Sequence, residues 1–276
     1  MRIFAVSDVH GHANEFKELL LEAKLIDNDL NWLDQNNRLI ICGDYIDRGP
    51  DSKGVVDLVI NLLGNGANIK PLRGNHEDML VQGVLKGNIG WLNCWLGNGG
   101  IKCLESYGLT IEQIKEAADF GGTYMCNLVK SVMGSHLPFL ESQLLDYHIE
   151  EIQGEKNLFV HAGVYPPGKL QDLTEHYESG NAPMYLWVRS YFYNQQHDKF
   201  ITKNYGVDRI IFGHSPTKYI IGNTGKKIER MEPVAKLNGR LLGIDTGSYY
   251  ENGAITLVEL LPKLDYKIIN YKRKED

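Results

Sequence analysis

The chain reads as a layered α/β protein carrying a mainly helical insertion, and three observations support that reading. Short β-branched runs alternate with helix-period segments through residue 72. Residues 78–148 then hold helical patterns with no strong strand. The remainder returns to short apolar runs and is β-rich.

The elements follow in chain order. IFAV at 3–6 is a strand, and NEFKELLLEAK at 14–24 is a helix that places Phe16, Leu19, Leu20 and Ala23 on one face. RLIIC at 38–42 is a second strand. After Pro50, DSKGVVDLVINLLG sets Val55, Leu58, Val59, Leu62 and Leu63 at i, i+3, i+4, i+7 and i+8, with Gly64 as the expected C-terminal cap. ANIKPL at 67–72 is a third strand, completing a βαβαβ alternation. The segment after it contains Trp91, Trp95, an NGG at 98–100, and the helical runs IEQIKEAADF and LPFLESQL. Strands resume at HIEEI, NLFVHAGV, RIIFGH, RLLGID and AITLVEL, which predicts a second sheet. No internal repeat and no low-complexity linker divides the chain, so the expectation is one domain over 1–276 with a helical cap at about 78–148.

Composition narrows the function. The 276 residues are 43% hydrophobic and 23% charged, ordinary values for a globular protein. A net charge of −6 argues against a nucleic-acid polymer as partner, because phosphate neutralisation needs a basic face. The four cysteines show no CxxC spacing and read as free thiols of a reducing compartment. No signal-peptide pattern and no long apolar span is present, so the expectation is a cytoplasmic protein with no membrane partner.

The polar residues fall in a pattern. Apolar runs end in Asp8 and His10 (IFAVSDVH), in Asp44 (LIICGD), in Asn75 and His76 (NIKPLRGNH), in His161 (LFVHAG) and in His214 (IIFGH). Ligands of open α/β sheets bind beyond the carboxyl ends of the strands, so these side chains converge on one rim. Asp8 and His10 stand two apart and share a face of extended chain. Glycines at 11, 43, 74, 163 and 213 flank the polar residues, where the backbone turns or approaches closely. One acid or histidine at a strand end is ordinarily a cap; the set is what points to a metal-binding or acid–base site.

On these residues the chain resembles the calcineurin-like metallophosphoesterases, and within them the bacterial and phage form of the phosphoprotein phosphatases. The matching motifs are SDVHG (7–11), GDYIDRGPDS (43–52), RGNHE (73–77), FVHAG (159–163) and FGHSPT (212–217). The resemblance implies a central β-sandwich flanked by helices. It implies that Asp8, His10 and Asp44 hold one divalent metal, and that Asp44, Asn75, His161 and His214 hold a second, with Asp44 bridging. Two such cations stand roughly 3.5–4 Å apart and clamp an in-line displacement at phosphorus. Oxygen and imidazole ligands suit manganese, the expected metal, with iron and zinc as alternatives.

The resemblance further implies attack by a hydroxide bridging the two metals, since bound cations lower the pKa of water. His76 is the implied general acid for the leaving oxygen, with Asp47 orienting it and holding it charged. Arg48 grips the phosphate, and Arg189 in LWVRSYF matches a second arginine of bacterial relatives. Glu77 and Arg73 are expected to support the site from behind. The implied substrate is phosphoserine or phosphothreonine in proteins. Bis(5′-nucleosyl) tetraphosphates or other small phosphoesters are the alternative, and a non-catalytic phosphate-binding module is an alternative of another class.

Other features carry less. GNTGKK at 222–227 lacks the G-x-x-x-x-G-K-[ST] spacing and reads as a turn. His12 lies near the site without an implied ligand role, and His136, His148, His176 and His197 sit in no motif. Asp245 in IDTG supports the site or ends a strand. The NGG and the loop after His161 (VYPPGKL) are candidates for substrate contact.

Overall fold

Two five-stranded sheets face each other in a computed structural model that describes residues 1–164, 183–189, 201–221 and 231–270. The strands are β1 (Ile3–Val6), β2 (Arg38–Ile41), β3 (Ile69–Pro71), β4 (Tyr147–Ile152), β5 (Glu155–Val160), β6 (Arg209–Phe212), β7 (Val234–Lys236), β8 (Leu241–Gly243), β9 (Thr256–Leu260) and β10 (Tyr266–Asn270). The first sheet runs β10-β9-β1-β2-β3, and the second β4-β5-β6-β8-β7. β1, β2 and β3 are parallel neighbours, as are β5, β6 and β8.

Alternation along the strands explains the layering. Ile3 and Ala5 of β1, Ile40 of β2, Phe159 of β5, Ile211 of β6 and Leu242 of β8 form the apolar layer between the sheets. Their neighbours face outward: Phe4, Val6, Leu39 and Ile41 pack with the helices, and Leu158, Val160, Ile210 and Phe212 form a third cluster. Both faces of the central strands are therefore buried, which is why they read as continuous apolar runs.

Helix α1 (Ala13–Glu22) buries Phe16, Leu19 and Leu20, and α2 (Ser52–Gly64) buries Val55, Leu58, Val59 and Leu62. Asp51 caps α2 by accepting from the Gly54 N–H at 2.7 Å. Gly64 is the last helical residue rather than the cap: Asn65 holds the C-cap position and Gly66 takes the positive φ of +80°. The Asn61 carbonyl accepts from the Asn65 N–H at 2.9 Å and the Leu63 carbonyl from the Gly66 N–H at 3.0 Å, so the helical hydrogen bonding runs on past Gly64.

Between β3 and β4 the chain is helical: α3 (Asn75–Leu80), α4 (Ile89–Trp95), α5 (Ile101–Ser106), α6 (Ile111–Asp119), α7 (Gly122–Met133) and α8 (His136–Ser142). Among the described residues no helix is long and apolar enough to cross a membrane. The short edge strands β7 and β10 have no counterpart in the sequence expectations. The GNTGKK stretch, His176, His197 and the loop residues 165–170 lie outside the described residues.

Candidate metal centre

Strand ends build the site. Asp8 and His10 follow β1, Asp44, Asp47 and Arg48 follow β2, and Asn75 and His76 open α3 directly after β3. His161 follows β5 and His214 follows β6 in the second sheet. The parallel strands of both sheets thus deliver their carboxyl ends to one edge.

The backbone there is unusual. Asp8 (φ 53°), His10 (43°), Asp44 (58°), Asp47 (75°), Arg48 (66°) and His214 (62°) all occupy left-handed conformations. Such conformations cost non-glycine residues about 1–3 kcal/mol and persist where the surroundings over-determine them. Here the loops are laced together: the Asp8, His10 and Gly11 N–H groups donate to the Gly43, Asp44 and Tyr45 carbonyls at 3.1, 2.9 and 2.9 Å. Glu77, fully buried, accepts from the N–H groups of Asp44 (3.0 Å), Tyr45 (2.9 Å) and Gly74 (2.9 Å). It therefore braces the Asp44 loop against the α3 turn. Arg73 points elsewhere, donating to the Glu141 carbonyl at 2.8 Å and tying the turn to α8.

Acceptors converge at the centre. The Nδ1 of His161 pairs with the Cys42 carbonyl at 2.7 Å, and that of His10 with the Ile46 carbonyl at 2.9 Å. Each ring must donate from Nδ1, so Nε2 carries a lone pair. The His161 Nε2 lies 2.9 Å from Asn75 Oδ1 and 3.5 Å from Asp44 Oδ1. The His214 Nδ1 lies 2.8 Å from the same Asn75 oxygen. The His10 Nε2 lies 3.5 Å from Asp44 Oδ2. Donor atoms of His10, Asp44 and His76, and of Asp44, His161 and His214, each fall within 4.8 Å of one another. Asp44 belongs to both groups. Carboxylate, amide oxygen and imidazole lone pairs packed this tightly repel one another unless a cation lies among them, so the residues fit divalent metal.

Electrostatics agree with that fit. Burial, with Arg48 and the neighbouring rings, pushes His10 and His214 well below the usual histidine range, and burial pushes His161 down. These shifts favour the neutral imidazole, the form whose lone pair a cation can take. Burial and the nearby Asp8 push the Asp44 carboxyl well above its usual range, a penalty that a bound cation reverses. Asp8 joins neither group: its Oδ1 stands 4.0 Å from His10 Nε2, while its Oδ2 accepts from the His214 N–H at 2.9 Å and from the Ser7 hydroxyl. His76 occupies the nearer place beside His10 and Asp44.

Asp47 and His76 meet as a pair, Oδ2 to Nδ1, at 2.6 Å, both fully buried. Burial, then His10 and Arg48, push the His76 imidazolium well down, whereas the sequence suggested a ring held charged by Asp47. The other Asp47 oxygen accepts from the Trp95 indole at 3.0 Å. Arg48 lies over the Tyr249 ring, 4.3 Å from its centroid, with Nη1 2.9 Å from His10 Nε2. Arg189 is exposed and anchored to the His214 carbonyl at 2.8 Å. The first arginine is thus inside the site and the second at its rim.

The remaining polar residues divide. Asp245 is buried near Asp8 and accepts from the Gly247 N–H at 2.8 Å, so it also ends a strand locally. Ser248, unremarked in the sequence, donates to the Asp8 carbonyl at 2.6 Å. His12 precedes α1 with Nδ1 2.8 Å from the His10 carbonyl oxygen. His136 is a buried link between the Tyr107 hydroxyl (2.7 Å) and Asp57 (3.0 Å), and His148 pairs with Glu150 at 2.9 Å. Both lie outside the metal centre. Trp95 and Tyr249 are the neighbours that strand-end reasoning missed. The NGG three residues after Trp95 was the available signal for the first.

Comparisons with known proteins follow the same lines. The family model of calcineurin-like phosphoesterases matches residues 1–218. The chain is similar to a zinc-dependent endopolyphosphatase of Saccharomyces cerevisiae, 38% identical over 80 residues, 29% of this chain and 22% of the relative. It is similar to serine/threonine-protein phosphatase 2 of Escherichia coli K12, 35% identical over 98 residues, 36% of this chain and 38% of the relative. It is also similar to a symmetrical bis(5′-nucleosyl)-tetraphosphatase of Wigglesworthia glossinidia brevipalpis, 28% identical over 175 residues, 63% of this chain and 48% of the relative. The matched stretches thus span less than half of these three relatives. A solved serine/threonine phosphatase from Saccharomyces cerevisiae shares the fold, with a TM-score of 0.57 at 14% identity over 100% of this chain and 82% of that one. With the family model spanning most of its length, the chain belongs to the calcineurin-like phosphoesterase family.

Proposed function

We propose that the protein is a two-metal phosphomonoesterase acting on phosphoserine and phosphothreonine in proteins. In this reading Asp8, His10 and Asp44 hold one cation, and Asp44, Asn75, His161 and His214 hold the other, with manganese the expected metal. Bound divalent cations supply Lewis-acid stabilisation and lower the pKa of a water, the chemistry that phosphoester hydrolysis needs. The chain's own groups do the rest. Arg48 and Arg189 hold the phosphate oxygens. The His76 ring, fixed through Nδ1 by Asp47, delivers a proton from Nε2 to the departing oxygen.

The Asp47–His76 pair at 2.6 Å is the observation that carries the choice of substrate. A serine or threonine alkoxide is a poor leaving group and gains most from a positioned acid. A polyphosphate leaves as a stable anion and gains least. The second reading, hydrolysis of dinucleoside polyphosphates, draws on the similarity to the Wigglesworthia tetraphosphatase. One domain over 1–276 with a helical cap at about 78–148 belongs to the same proposal. So does a cytoplasmic location, which the free cysteines support. Assay of one manganese-loaded sample with a phosphoserine peptide and with diadenosine tetraphosphate separates the readings. Turnover of the peptide is expected, and turnover of the nucleotide alone overturns the first reading.

A further inference from the structure

We infer that Trp95 is a positioning residue for proton delivery, aligning the Asp47–His76 pair from the helical segment that follows the metal-ligand turn. The inference rests on the phosphatase reading above and assigns part of its acid step to a tryptophan that lies 48 residues from Asp47 in sequence.

The geometry is closed around one carboxylate. The Asp47 Oδ2 takes the His76 Nδ1 at 2.6 Å, and Oδ1 takes the Trp95 indole N–H at 3.0 Å. The Asp47 N–H donates to Ser52 Oγ at 2.9 Å, and the residue itself is held at φ +75°. The carboxylate is thus gripped from both oxygens, and its rotation would swing the imidazole away from the site. Trp95, Asp47 and His76 are all buried to 1% exposure or less. With all three side chains this buried, removing the indole donor takes away the partner that holds the second Asp47 oxygen in place.

The same segment touches the turn a second time. Gly99 adopts φ +117°, and a Cβ on it would stand 2.8 Å from the Arg48 nitrogen and 3.2 Å from Asp47 Cβ. A Cβ on Gly100 would stand 2.7 Å from the Trp95 ring. The glycines of the NGG therefore let the indole and the helix end close on the Asp47–Arg48 turn. A core tryptophan needs only apolar neighbours; this one donates to the residue that orients the acid.

A leaving-group comparison tests the inference on the full-length, manganese-loaded protein. Trp95→Phe should lower kcat for a phosphoserine peptide by about 10–100-fold, the range for loss of an outer hydrogen-bond partner. Turnover of 4-nitrophenyl phosphate, whose phenolate departs without a proton, should stay within about twofold. In a His76→Asn background the same substitution should add nothing, because the group it positions is gone. Equal losses on both substrates, or an undiminished loss beside His76→Asn, overturn the inference and leave the phosphatase reading standing. Wild-type protein that turns over neither substrate sinks that reading, and this inference with it. A second measurement needs no tryptophan variant. Of the four tryptophan indole protons, that of Trp95 should be shifted downfield and slow to exchange, and one that exchanges freely with solvent contradicts the hydrogen bond.

Discussion

Adding one methyl group to each of two glycines should move stability in opposite directions. At Gly74, φ is −104°, so an alanine backbone is unstrained there and only space is at issue. A Cβ on Gly74 would stand 2.7 Å from Glu77 Oε2 and closer still to Asp44 Oδ1 and the Asp44 nitrogen. Real Cβ contacts essentially never fall below 3.0 Å, so Asp44 or Glu77 must shift. Overpacking of this kind costs about 1–3 kcal/mol. For a chain of this size that lowers Tm by about 2–12 °C. Displacing the shared ligand should also weaken metal binding in both positions. At Gly64 the space is open and the φ is not positive, so Gly64→Ala should gain up to about 1 kcal/mol through reduced chain entropy. Calorimetry of the three proteins, metal-free and with manganese, reads both effects. A Gly74→Ala variant that melts with the wild type and keeps its metal affinity would refute the packing argument. A Gly64→Ala loss as large as the Gly74→Ala loss would show that the distinction between the two sites is wrong.

Two further outcomes follow from the same structure. His76→Asn should cut turnover of a phosphoserine peptide by about 10²–10⁴-fold while metal content holds; unchanged turnover removes His76 from the acid step. His148 tests linkage away from the centre. Burial lowers its folded-state pKa, so its contribution to stability is fully present above the unfolded value of about 6.5 and is lost as pH falls through the lower folded value. Urea unfolding between pH 4 and 8 should show a shallower acid-side loss in His148→Gln, and an identical slope would contradict the assignment.

Much of the centre was legible in the sequence because it sits where strands end. Asp8, Asp44, Asn75, His161 and His214 each close an apolar run, and parallel strands bring such ends to one edge whatever the details of packing. The helix α2 was equally plain, since its buried positions keep the helical period. What escaped depends on contacts that no local pattern encodes. Trp95 reaches Asp47 across 48 residues, and Glu77 ties together loops that only the folded sheet juxtaposes. The left-handed backbones at Asp8, His10 and Asp47 are uncommon outside glycine, and although aspartate and histidine adopt them more readily than most side chains, no local pattern singles out these positions. β7 and β10 are short or half-polar edge strands, and their alternation is too weak to stand out. Gly64 has the composition of a cap because glycine commonly follows a helix, yet Gly66 two residues on supplies the positive φ.

In the proposed two-metal site, side chains from both sheets gather around two cations with Asp44 common to them. Elemental analysis of manganese-saturated, exhaustively dialysed protein counts the metal directly, for the wild type and for Asp44→Asn. Two manganese ions per chain are expected in the wild type, with reduced occupancy of both in the variant. A wild type that retains no manganese, or an Asp44→Asn protein that keeps two ions at full occupancy, would contradict the two-metal site.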